Sequence, residues 1–156
     1  MALSFRKMRV GDVPAVFEVR LSTVENAVTA DELEHTYGVT PRSLAEAMRF
    51  HVEGWVCEHD GAVVGFAMGD RSSGEVLVVA VRPEHEGRGI GGELLTRVED
   101  RLFAAGRDEI WLRVTPDPTL RASGFYREAR LAGEWRADGR RRGDEAAEAA
   151  RLSWRG

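Results

Sequence analysis

The chain opens with an alternation of apolar and basic side chains over residues 3 to 9 (LSFRKMR), the two-residue period of a half-buried strand. Gly11-Asp12 turns the chain, and Asp12 can cap a helix that has Pro14 in its first turn. Val13, Val16, Phe17, Leu21 and Val24 form the apolar stripe of that helix, which is predicted to run to about Val24. Periodicity is weak from Glu25 to Gly38. Thr40-Pro41 then offers a cap with proline at the first helical position, and Leu44, Met48 and Val52 predict a second, short helix.

Strand patterns follow. Gly54 to Glu58 and Ala62 to Met68, around His59-Asp60-Gly61, read as a hairpin because Asp-Gly supplies the positive-φ positions of a tight turn. After Ser72-Ser73-Gly74 comes Glu75 to Val81 (EVLVVAV), a nearly continuous apolar run typical of a strand buried on both faces. Ile90, Leu94, Leu95, Val98 and Leu102 mark a long amphipathic helix ending near Gly106. Ile110 to Val114 is another strand, Ala122, Phe125, Tyr126 and Ala129 give a short helix, and weaker strands are expected around Trp135 and Leu152 to Trp154. The order is that of a mixed α/β domain, and 156 residues suit one domain spanning 1 to 156.

Composition alters this picture only in detail. Hydrophobic residues make up 43% and charged residues 31%, a globular balance. The formal charge of -4 lacks the basic excess of a nucleic-acid-binding domain, so no nucleic-acid partner is expected. Residues 1 to 60 hold six Lys or Arg against ten Asp or Glu, whereas residues 61 to 156 hold sixteen of each. That acidity suits a cationic acceptor or is simply a solvated surface. The single cysteine, Cys57, cannot form an internal disulfide and reads as a buried strand residue. Arg6, Lys7 and Arg9 have no apolar segment of signal-peptide type behind them, and no run reaches membrane-spanning length. A cytoplasmic location without membrane association is the expectation.

The chemistry lies at Glu86-Gly87-Arg88-Gly89-Ile90-Gly91-Gly92, between the buried strand and the long helix. Free amides and the helix dipole converge there, which suits an anion. Glycines let a diphosphate approach the main chain more closely than a Cβ permits, and Arg88 adds a mobile positive charge. Gly87-x-Gly89-x-x-Gly92 also fits a dinucleotide fingerprint, but Arg82 to Glu86 separate it from its strand and no βαβ unit precedes it. Gly-Lys-Ser/Thr is absent, which excludes a triphosphate P-loop.

Val81-Arg82-Pro83, the loop Glu86 to Gly91, and the helix opening Gly92-Glu93-Leu94-Leu95 together resemble the signature of the GNAT superfamily of N-acetyltransferases. That signature is a strand ending in Val-x-Pro, then Gln/Arg-x-x-Gly-x-Gly/Ala, then a helix. Glu86 departs from it, standing where Gln or Arg is usual. The resemblance implies a mixed, mostly antiparallel sheet of six to seven strands, flanked by about four helices and splayed between the fourth and fifth strands. It also implies acetyl-coenzyme A as co-substrate, with no metal. Gly87, Arg88, Gly89, Ile90, Gly91 and Gly92 would take the pyrophosphate, and Val79 and Val81 would pair with the pantetheine arm.

On the same footing, the Val79 amide would hold the oxyanion formed when an amine attacks the thioester, a donor worth on the order of 3 kcal/mol. Glu75, four residues earlier and hence on the same side of the strand by the two-residue repeat, is the first candidate for general base, or else a solvated carboxylate at a strand start. His51 and His85 are lesser candidates. The resemblance assigns Tyr126, in the pair Phe125-Tyr126, as the acid that protonates the leaving thiolate. Thr119 stands where the family commonly has a cofactor-contacting asparagine, and Arg130 where a glycine is usual. Arg20, Glu25 and Asn26, at the end of the first helix, are candidate acceptor contacts.

The leading expectation is acetyl transfer to a primary amine by direct attack in a ternary complex, the acceptor being a small amine. A protein N-terminus or lysine is the alternative acceptor, and a non-catalytic acyl-coenzyme A sensing module is the alternative function. A homodimer is compatible with the basic run Arg140 to Arg142.

Overall fold

The computed structural model describes residues 2–23, 29–107, 109–114, 136–138 and 150–155. Strand β1 (Leu3–Lys7) pairs antiparallel with β2 (Val52–His59), and β2 with β3 (Ala62–Asp70). The β2–β3 turn is tighter than expected: His59 still pairs with Ala62, leaving Asp60 (φ 51°) and Gly61 (φ 82°) as the two turn residues. β4 (Glu75–Val81) continues the antiparallel order and occupies the apolar run read from sequence. It is followed in space by β5 (Glu109–Val114), which runs parallel to it. β6 (Arg136–Asp138) and β7 (Ala150–Arg155) complete the described sheet, ordered β1-β2-β3-β4-β5-β7-β6.

Four α-helices are described: α1 (Val13–Ser22), α2 (Ala30–Tyr37), α3 (Pro41–Met48) and α4 (Ile90–Ala104). α1 buries Val13, Val16 and Val19, while Leu21 is exposed, so the stripe is rotated relative to the sequence reading. Val24 lies outside the described residues. Asp12 does not cap α1 through its side chain. Its carboxylate accepts from both terminal nitrogens of the Arg6 guanidinium, Nη1 and Nη2, at 2.8 Å and from the Arg9 amide at 2.8 Å, a stronger charged interaction than a cap offers. α3 begins as predicted, with Thr40 Oγ1 accepting from the Ser43 amide and Ser43 Oγ accepting from the Thr40 amide. Val52, expected on that helix, opens β2 instead.

α2 falls where periodicity is weak, because Leu33 is its one described buried position. Its ends were nonetheless written in the chain. Thr29 Oγ1 accepts from the Glu32 amide at 3.1 Å, and Gly38 closes the helix at φ 67°.

Each face of the sheet is covered by an apolar layer. Val64, Ala67, Val76, Ile110 and Leu112 pack against Ile90, Leu94, Leu95, Val98 and Leu102 of α4. On the other face Val56, Phe66, Met68 and Ala80 pack with Val16 and Val19 of α1 and with Leu44, Ala47 and Met48 of α3. At the edge of the α4 layer, Glu53 accepts from Arg101 Nε at 2.7 Å and pairs with Arg71 at 3.3 Å and Lys7 at 3.7 Å. This ties β1, β2, the β3–β4 turn and α4 together. Among the described residues no helix is long and apolar enough to cross a membrane.

Candidate active site

The β4–α4 turn carries Gly87 at φ 77° and Gly89 at φ 78°, and Gly89 immediately precedes the helix. Nothing lies within 4 Å of where a Gly89 Cβ would stand, so glycine is required there by conformation, and the space outside it is open. Within α4, the first amide with a main-chain acceptor among the described residues is that of Glu93, which donates to Gly89 O at 3.1 Å. The amides of Ile90, Gly91 and Gly92 precede it, so they form the electropositive end of the helix. Gly91 faces the sheet: a Cβ there would be 3.8 Å from Val79 Cγ1 and 3.9 Å from Val81 Cγ2. The turn therefore stands over the last residues of β4.

Below the turn, β4 and β5 separate. Their register pairs Glu75 with Trp111 and Val76 with Leu112, and then stops while β4 continues to Val81. Arg82 donates its amide to Val64 O at 2.8 Å, toward β3. Because strand amides alternate in direction, those of Val79 and Val81 face away from β3, into the gap between the parted strands. The expected splay between the fourth and fifth strands is thus present, and the glycine turn lies at its open end.

An unbroken two-residue repeat puts the side chains of Glu75 and Val79 on one side, but a bulge breaks that repeat. Met68 pairs with Val78 and Gly69 with Val76, which leaves Leu77 as an extra residue. Across the bulge Val76, Val79 and Val81 all turn toward the α4 layer, whereas Val78 and Ala80 turn toward α1 and α3. Glu75, adjacent to Val76, consequently faces the α1/α3 side, opposite the Val79 side chain.

Glu75 pairs across the sheet with Asp70, and its amide donates to Ser73 Oγ at 3.2 Å. Asp70 lies 3.2 Å from His51 Nδ1 and accepts from the Ser72 amide and hydroxyl at 2.8 and 2.6 Å. Burial alone would raise its carboxyl, but the Ser72 hydrogen bonds and His51 outweigh it and hold Asp70 below the usual range. The structure thus gathers Glu75, Asp70 and His51 at the β3–β4 turn. His85, by contrast, lies beside the glycine turn.

Arg20 is half-buried on the last turn of α1 and donates to Thr23 Oγ1 at 2.9 Å. Glu25, Asn26, Thr119 and Tyr126 lie outside the described residues. Cys57 is fully buried, and that burial pushes its thiol up, the opposite of nucleophile activation. Trp55 packs against the α4 layer, and Trp111 Nε1 donates to Ser73 O at 3.1 Å.

Much of the N-terminal acidity is consumed internally. Asp12 and Glu58 serve Arg6, Glu53 serves three cations, and Glu18 lies 3.6 Å from Arg82. Asp31, Glu32 and Glu34 remain exposed on α2, which makes that helix the acidic feature the composition hinted at without locating.

The fold and turn define an α/β domain in which a helix N-terminus meets the gap between two parted parallel strands. The chain matches the model of the acetyltransferase (GNAT) family over residues 21–130, and it belongs to that family. Solved structures of similar fold include the PaiA N-acetyltransferase of Thermoplasma acidophilum in complex with coenzyme A (16% identity, TM-score 0.77, all of both chains covered). Another is the ribosomal-protein-S18-alanine N-acetyltransferase of Escherichia coli (17% identity, TM-score 0.71, covering 99% of this chain and 94% of that one). A third is a phosphinothricin acetyltransferase from Sinorhizobium meliloti in complex with acetyl-coenzyme A (20% identity, TM-score 0.69, covering 99% and 89%).

Proposed function

We propose that residues 1 to 156 form one acetyltransferase domain that moves the acetyl group of acetyl-coenzyme A to a primary amine. The observation that carries this reading is the coincidence of two groups of donors: the amides at the α4 N-terminus and those of Val79 and Val81 in the strand gap. A diphosphate on the first group would lead a pantetheine arm along the second. Family membership and the coenzyme A complexes of similar folds support the choice of cofactor.

In the proposed reaction the amine nitrogen attacks the thioester carbonyl, and the Val79 N–H receives the charge on the resulting oxyanion. Collapse breaks the carbon–sulfur bond. Tyr126 supplies the proton that leaves with the coenzyme A thiol. Glu75 takes the proton of the incoming ammonium through water, since its side chain lies across the strand from that of Val79. The acceptor is a small cationic amine, for which the exposed carboxylates of α2, with Glu25 and Asn26, supply the recognition face; Arg20 at the end of α1 would meet a carboxylate or other acceptor oxygen rather than the ammonium.

The experiment is a thiol-release assay with acetyl-coenzyme A and a panel of small amines, amino acids and peptides with free N-termini or lysines. Release with small cationic amines is expected. Coenzyme A binding without release for any acceptor would replace the reading with a sensing module, and release with peptides alone would move the acceptor to protein.

A further inference from the structure

Glu86 occupies the place where the signature has Gln or Arg, so an acceptor-only carboxylate stands at the turn's entrance in place of the usual N–H donor. The structure offers another orienting group. Arg88 Nη1 lies 2.8 Å from His85 Nδ1, and a guanidinium can only donate, so Nδ1 accepts and the ring carries its proton on Nε2. His85 is anchored in a 3-10 turn (Pro83–His85), where its amide donates to Arg82 O at 2.9 Å. Its ring rests on His59, centroids 5.1 Å apart at 54°. His59 is held in the register of β2 opposite Leu3 and Ala62, and its Nδ1 lies 3.7 Å from Asp60. The His59 Nε2 is buried with no hydrogen-bond partner among the described residues, so packing on His85 rather than polar contact at Nε2 fixes that ring. A chain of contacts therefore runs from the sheet, through two imidazoles, to an exposed arginine within the glycine turn.

We propose that His85 is a positioning residue for the cofactor's phosphates: its neutral imidazole holds the Arg88 guanidinium at the mouth of the turn, a role that Glu86 cannot fill. This rests on the reading of the turn as a coenzyme A diphosphate cradle. An untethered arginine loses rotamer freedom when it meets a phosphate, whereas one already held by His85 has lost much of it beforehand.

The test is a double-mutant cycle on coenzyme A affinity, measured by calorimetry with His85→Leu, Arg88→Ala and the pair, alongside His85→Gln. Each single variant should weaken coenzyme A about fivefold to tenfold, as loss of one ordered cationic contact implies. The double variant should be no weaker than Arg88→Ala alone, because His85 acts only through Arg88. His85→Gln, which restores an acceptor, should recover most of the affinity. In the acetyl assay the His85→Leu loss should fall on KM for acetyl-coenzyme A, not on kcat. Pantetheine, which has no phosphate, should bind all variants alike. Equal losses with coenzyme A and 3′-dephospho-coenzyme A assign Arg88 to the diphosphate, and a loss confined to coenzyme A assigns it to the 3′-phosphate. Multiplying losses in the double variant, failure of glutamine to rescue, or a parallel loss for pantetheine would each overturn the proposal. Absence of coenzyme A binding by the unaltered protein would instead refute the cradle itself.

Discussion

Replacing Gly89 with valine separates what the turn needs for folding from what it needs for binding. Gly89 sits at φ 78°, and an L-residue in the left-handed region costs about 1–2 kcal/mol. No atom lies within 4 Å of the new Cβ, so no clash adds to that cost. For a chain of this size the strain corresponds to a melting-temperature loss of about 3–6 °C. Binding should suffer more if the cradle is at this turn, because the valine methyls would occupy open space beside the helix N-terminus that the diphosphate is proposed to use. Losing one charge-assisted bond of about 1.5–3 kcal/mol weakens coenzyme A on the order of tenfold to a hundredfold. Gly106→Val is the control: φ is 93°, nothing lies within 4 Å, and it follows the other end of α4, about 22 Å away at 1.5 Å per residue. Calorimetry with coenzyme A and thermal melts on both variants should give similar melting losses and a binding loss only for Gly89→Val. Retained affinity in Gly89→Val, or an equal loss in Gly106→Val, would refute the placement of the cradle.

Glu53→Gln should destabilise the protein by about 2–3 kcal/mol in urea melts, since it weakens a mostly buried carboxylate's contacts with Arg101, Arg71 and Lys7. Burial would raise the Glu53 carboxyl, but the Arg101 hydrogen bond and the three cations outweigh it and hold it below the usual range. Its contribution is therefore present above the unfolded glutamate pKa and lost as pH falls through the folded one, so the variant should show a shallower stability loss on acidification; an unchanged slope would count against the hub. Gly69→Ala should cost about 1–3 kcal/mol, because its Cβ would stand 2.7 Å from Val98 Cγ1 beneath α4, and a neutral result in the same melts would mean that α4 yields easily. Tyr126→Phe should lower kcat with coenzyme A affinity nearly intact, and equal loss of both would remove its role as acid.

Segments whose local pattern and tertiary environment agree were legible before the structure. β4 is apolar because Val76, Val79 and Val81 meet the α4 layer and Val78 and Ala80 the α1/α3 layer, with Leu77 at the bulge left exposed, and α4 has its stripe because one face meets the sheet, so Glu75–Val81 and Ile90–Ala104 follow directly from residue types. α2 was not legible by periodicity, since an eight-residue helix with one described buried position has no second apolar position for a spacing to be read from. Its Thr29-x-x-Glu32 cap and Gly38 were the available signals. Asp12 misled in the other direction: a cap residue by type, it is claimed by Arg6, six residues earlier and on a neighbouring strand. Composition likewise could not separate carboxylates spent on Arg6, Arg82 and Glu53's cations from those left exposed on α2.

The bulge at Leu77 has the largest consequence for the chemistry and is the least visible in sequence, because EVLVVAV looks the same with or without it. Inserting one residue between Val76 and Val78 lets valines on both sides of the insertion serve the α4 layer, although their spacing in the chain is odd. It also carries Glu75 onto the opposite face, beside Asp70 and the His51 contact. If Glu75 is the base of the proposed reaction, its side chain is set apart from that of Val79 by the thickness of the strand, so it would have to work through water. On the same reading His51, held by Asp70 at this turn, is the second candidate to take the proton. A pH–rate profile distinguishes the two arrangements. Glu75→Gln should lower kcat across the whole pH range if the carboxylate is the only acceptor. His51→Gln should lower kcat as well if the histidine shares the task, and a rate unchanged by either substitution would exclude this turn from proton transfer.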